Sequence, residues 1–68
     1  MKTVSGKNLC KILEKRGWTL ARINGSHHIY LGPDERSGVS VPVHANKDLK
    51  PGIQRGLMKD AGLTEADL

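Results

Sequence analysis

The chain has 68 residues, a formal charge of +4 and a sequence pI near 9.6, which describes one small basic domain spanning 1–68 with no room for a second core. Hydrophobic residues make up 37% of it, but Phe is absent and Trp18 and Tyr30 are the only aromatics, so aliphatic packing must carry most of the stability. No apolar run approaches the ~20 residues of a membrane span and no signal-peptide pattern opens the chain, so neither is expected. The lone Cys10 has no intramolecular disulfide partner, and cytoplasmic residence is the simple expectation. An excess of positive charge on so small a surface favours polyanionic partners such as nucleic acid.

Ser5 is a good N-cap, and Leu9, Cys10, Ile12 and Leu13 form an apolar stripe at helical spacing, which predicts a first helix over Ser5 to Arg16 stopped by Gly17. Trp18 to Ile23 is predicted as a strand, with Asn24-Gly25 as the tight hairpin signal and Ser26 to Leu31 as the returning strand. A polar turn runs from Gly32 to Gly38. Val39, Val41 and Val43 then alternate with Ser40, Pro42 and His44, a third strand with one buried face. Pro42 cannot donate to a ladder, which places that strand at an edge or its end at this residue. Lys50-Pro51 opens a second helix whose apolar residues are Ile53, Leu57, Met58 and Ala61, and Gly62 ends it. Thr64 to Leu68 either caps one more short turn or frays. The fold class is therefore α+β: helix, three-stranded antiparallel meander, helix, with both helices on the valine face of the sheet.

The chemistry concentrates in Gly25-Ser26-His27-His28-Ile29-Tyr30, where two imidazoles stand at a strand entrance. Histidine is the side chain whose unperturbed pKa puts its charge change near neutrality. Strand alternation separates the pair: His28 and Tyr30 share one face, and His27, Ile29 and Leu31 share the other. With the valines buried, simple alternation puts His28 and His44 on the open face and His27 at the inner rim. Neighbouring histidines that point apart do not chelate one ion together, and no carboxylate or second cysteine stands at ligand spacing, so no metal is expected. No small-molecule cofactor is called for either. Phosphodiester cleavage in RNA suits the inventory better: it needs proton transfer at the 2′-hydroxyl and the departing 5′-oxygen, and cations or N–H donors on the phosphate. His27 and His28 are the catalytic candidates. The candidate RNA-contacting set is Arg22, Ser26, Arg36, His44, Lys47, Lys50 and Arg55, with the helix start near Pro51-Gly52 as a further phosphate site.

Several segments occur together in a distinctive order: Lys15-Arg16-Gly17-Trp18, the Gly-Ser-His-His run, Val41-Pro42-Val43-His44, Leu49-Lys50-Pro51-Gly52 and Met58-Lys59-Asp60-Ala61-Gly62-Leu63-Thr64. In these the chain resembles the HicA toxin family, small mRNA interferases of HicA–HicB toxin–antitoxin systems. The resemblance implies a fold like the double-stranded-RNA-binding domain, ribosome-independent cleavage of mRNA, and inhibition by a HicB antitoxin that covers the active site. It also implies that a histidine of the Gly-Ser-His motif is catalytic, which favours His27, whereas the pleat favours His28 as the more open ring. A strand irregularity at Gly25 would reconcile the two. A non-catalytic RNA-binding module of the same fold is the alternative, and a purely protein-binding subunit is a third.

Overall fold

The computed structural model describes residues 2–68. Its elements run α1 (Gly6–Lys15), β1 (Thr19–Asn24), β2 (His27–Leu31), β3 (Gly38–Pro42) and α2 (Pro51–Ala61), followed by a 3-10 turn at Glu65–Asp67. This is the predicted α-β-β-β-α order, with an antiparallel sheet in the order β1-β2-β3. No helix among the described residues is long and apolar enough to cross a membrane.

Local chemistry sets the boundaries. Ser5 caps α1 by accepting the Asn8 N–H at 3.1 Å. Gly25 sits at φ 63°, the left-handed region that the first position of a two-residue hairpin loop demands, and Asn24 and His27 pair across it. Pro51 starts α2 at the position where its missing N–H costs nothing, and Gly62 closes the helix. Thr64 and Asp67 form a reciprocal capping box on the last turn, so that segment is ordered.

One face of the sheet meets both helices. Leu9, Cys10 and Leu13 from α1 pack with Trp18, Tyr30, Val39, Val41, Leu49, Met58 and Leu63 in a single core. Cross-strand pairing fixes what shares that face: Tyr30 lies opposite Val39, and His28 opposite Val41. The valine face of β3 is buried as expected, but the inward face of β2 is the reverse of the expected one. Tyr30 is 2% exposed, because α1 offers its hydroxyl a partner: it donates to Glu14 Oε2 at 2.6 Å. The expected irregularity at Gly25 is instead a bulge in β1, where Ala21 is extra between Leu20, opposite Tyr30, and Arg22, opposite Ile29.

Helix α2 also departs from its expected face. Ile53 is 46% exposed, while Gln54 is fully buried beside Met58. The amide explains the exchange: Gln54 Oε1 accepts the Val4 N–H at 2.9 Å, and Gln54 Nε2 donates to the Lys2 carbonyl at 2.7 Å. The segment before α1 is thereby fixed to α2. It also pairs with the loop ahead of that helix: the Leu49 N–H donates to the Val4 carbonyl at 2.9 Å, and Ser5 bridges Asp48.

Candidate active site

His27, His44, Lys47 and Lys50 line one cleft of about 420 Å³, together with Pro42, Asp48, Leu49 and Ile53. Three elements assemble it. The β1–β2 hairpin delivers His27 at the start of β2, exposed and opposite Pro42. The Val43 N–H donates to the Ser26 carbonyl at 2.7 Å, which ties that hairpin to the chain leaving β3. A tight turn then brings His44 and Lys47 together, because the Lys47 N–H donates to the His44 carbonyl at 3.0 Å. Ala45 inside this turn has φ 51°, which costs a residue with a β-carbon on the order of 1 kcal/mol. Strain of that kind persists only where the surroundings enforce it. Here the flanking Asp48-Leu49 segment is clamped to the N-terminal residues, including Thr3 Oγ1 donating to Asp48 Oδ2 at 3.2 Å.

The cleft has an apolar floor and a cationic rim. Leu49 is buried, and Pro42 and Ile53 extend the apolar lining. Lys47 and Lys50 outnumber the Asp48 carboxylate, whose one oxygen already accepts from Thr3. Helix α2 begins at the cleft wall with no acidic residue in its first turn and no side-chain cap. Its positive dipole end therefore adds to the lysine field. A β-carbon at Gly52 would meet nothing within 4 Å, so the helix start is open to approach.

The remaining candidates fall elsewhere. His28 is partly buried on the helix-covered side, between Ile23 and Val41, so the more open ring of the pair is His27. Arg22 is exposed on the same open sheet face as His27, opposite Ile29. Arg36 lies in the β2–β3 loop, a strand length of about 13 Å from the hairpin end. That loop is organised by Asp34, which accepts the backbone N–H groups of Arg36 and Ser37, both at 3.0 Å. Arg55 is two residues past Ile53, roughly the opposite side of α2, and borders a separate depression with Met58, Leu63 and Thr64. Asp48 and Ile53 belong to the cleft and were not anticipated. The apolar spacing of Ile53 pointed inward, and no sequence signal marked Gln54 as the residue that takes its place.

A second polar cluster lies at the edge of the core, where the buried Cys10 and Tyr30 meet the exposed Glu14. Burial pushes the Cys10 thiol up, Tyr30 tempers that rise, and the nearby Glu14 charge adds to it. Burial also pushes the Tyr30 phenol up, reinforced by its bond to Glu14. Among the described residues no three His, Cys, Asp or Glu side chains gather as a metal-binding group.

The family model described as HicA toxin of bacterial toxin-antitoxin matches residues 6–63, from the first residue of α1 to just past the end of α2. No curated protein matches the chain. The matched span includes the Gly-Ser-His-His run, all three strands and the whole cleft, so the chain belongs to the HicA toxin family, the toxin half of a bacterial toxin–antitoxin pair with a cognate antitoxin as its partner.

Proposed function

We propose that the chain is a metal-independent endoribonuclease that cleaves mRNA in the cytoplasm, with His27 as its general acid–base residue, and that a HicB antitoxin silences it by covering the cleft. The observation that carries this reading is the meeting of His27 and His44 with Lys47, Lys50 and the start of α2 around one cleft. In the reaction the 2′-oxygen attacks the adjacent phosphorus and the bond to the 5′-oxygen breaks. The products are a 2′,3′-cyclic phosphate and a 5′-hydroxyl end. One proton must leave the 2′-hydroxyl and one must reach the departing oxygen, and an exposed imidazole serves such transfers at neutral pH. Lys47, Lys50 and the open N–H groups of α2 face the extra negative charge that gathers on the phosphoryl oxygens in the transition state. His44 is the accessory imidazole. Arg22, on the same sheet face as His27, and Ser26, in the hairpin, are the outlying contacts for the RNA chain. His28, opposite Val41, supports the strand from the covered side.

Purified protein incubated with single-stranded RNA in excess EDTA tests this directly. The reading expects cleavage with cyclic-phosphate ends, abolished by the co-purified antitoxin. Salt-dependent RNA binding without cleavage would favour the non-catalytic module instead.

A further inference from the structure

Helix α1 carries a pattern that its own stability does not explain. Lys7, Lys11 and Lys15 follow one another at i, i+4, i+8, a like-charge ladder that weakens a helix by roughly 0.2–0.5 kcal/mol per step. Lys7 stands in the first turn, where the helix dipole disfavours an ammonium. The single carboxylate of α1, Glu14, is engaged by the Tyr30 hydroxyl. None of these lysines holds an ion pair among the described residues, where Arg16 pairs with Asp67 at 3.1 Å.

Part of this ladder forms the wall of a groove. Lys11 and Lys15 line a depression of about 300 Å³ with Asn8 and Ile12 from the same helix face, and Lys2 and Asp48 close it from the other side. Asp48 also lines the His27 cleft, so the two depressions adjoin across one residue. Lys2, Thr3 and Val4 belong to the groove's lining, and this segment is held by the Gln54 amide and by pairing with Asp48-Leu49. A cationic path thus runs from Lys47 and Lys50, past Asp48, to Lys2, Lys11 and Lys15. Lys11 and Lys15 are one helical turn apart, about 6 Å along the axis.

We infer that this groove is an extended RNA-docking track, binding the sugar–phosphate backbone of the strand that continues out of the His27 cleft. The inference rests on the proposed endoribonuclease reading and adds where the substrate lies beyond the scissile phosphate. Contacts of this kind are sequence-independent, so the track supplies affinity for long RNA and leaves any base preference to the cleft.

The test uses the His27→Ala protein, so that binding is measured without cleavage, with Lys2→Gln, Lys11→Gln and Lys15→Gln added together. Glutamine keeps the helix propensity of lysine and removes only the charge. Affinity for a labelled single-stranded RNA is followed by fluorescence anisotropy across a salt series, beside a trinucleotide too short to leave the cleft. The slope of log K against log salt is expected to become shallower by about 2, near 0.7 per lost phosphate contact. That corresponds to roughly 50-fold weaker binding of the long RNA near physiological salt, with the trinucleotide unchanged. An unchanged slope on a protein that still binds long RNA overturns the track and leaves the cleft reading standing. Equal loss for both ligands overturns it as well, because the lysines would then act on the cleft itself. Weakened antitoxin binding with an unchanged RNA slope would make the groove a protein-docking surface and also overturn the inference. A parent protein that binds neither RNA would overturn the endoribonuclease reading along with the track.

Discussion

Replacing Gln54 by leucine removes the two bonds that tie the N-terminal segment to α2, at nearly constant side-chain volume. The Val4 N–H is buried and loses its acceptor at 2.9 Å. Stranding a buried donor costs about 1–3 kcal/mol. The Lys2 carbonyl belongs to an exposed residue, so water replaces most of its bond. The apolar leucine recovers a fraction through burial, leaving a net loss of about 1–2 kcal/mol. A domain of this length holds roughly 3–10 kcal/mol in all, so the loss is large. It corresponds to a fall in Tm of about 4–16 °C. Urea unfolding followed by the fluorescence of Trp18, the only tryptophan and 7% exposed, reads it out. Gln54→Glu sharpens the test. A carboxylate there still accepts from Val4 but turns an acceptor toward the Lys2 carbonyl, and burial disfavours its charge. Its folded pKa is therefore raised, so the variant holds its stability below the unfolded carboxyl value of about 4.3 and loses it as pH rises. A Gln54→Leu midpoint within about 0.5 kcal/mol of the parent at unchanged urea slope would refute the reasoning.

The buried Cys10 and Tyr30, with Glu14 at the core's edge, are expected to make the fold alkali-sensitive. Burial holds both the thiol and the phenol above their ordinary values, so the stability this lends is full below about pH 9 and is lost as pH rises further. The Tyr30 absorbance shift should coincide with loss of Trp18 fluorescence protection; a phenol that ionises in the intact fold would contradict the assignment. Gly6→Ala should destabilise by about 3 kcal/mol or more, because a β-carbon there would collide with the Pro42 carbonyl oxygen where α1 crosses the end of β3. Helix propensity alone predicts a gain of about 1 kcal/mol, so the sign of the change in a urea melt decides between the two.

What the sequence disclosed follows from how local each signal was. Ser5, Gly25, Pro51 and Gly62 act on their own backbone, and each ends or starts an element where its chemistry requires. The closeness of His44, Lys47 and the proline that opens α2 was legible because they are near in the chain, whereas simple alternation set His27 on the other sheet face from His44, and only the hairpin brings it to the same cleft. The inward face of β2 was misjudged because tyrosine suits either side of a sheet, and only the distant Glu14 settles its direction. Ile53 and Gln54 exchanged roles for a similar reason. A buried glutamine is costly until the Val4 and Lys2 backbone groups, some fifty residues away, satisfy it. The bulge at Ala21 left no local mark, since Leu-Ala-Arg alternates well enough as a regular strand.

The central claim is that His27, rather than its neighbour, carries the proton transfer. Single-turnover cleavage of a defined RNA by the parent, His27→Ala and His28→Ala proteins, each with its urea midpoint, tests that claim most directly. The account predicts that His27→Ala loses about 10²–10⁴ in rate with its unfolding midpoint unmoved. His28→Ala, truncated beside Val41 and Ile23, should retain the rate within about tenfold and shift the midpoint instead. A His27→Ala protein that cleaves as fast as the parent, or a fully folded His28→Ala protein that does not cleave, would contradict the account.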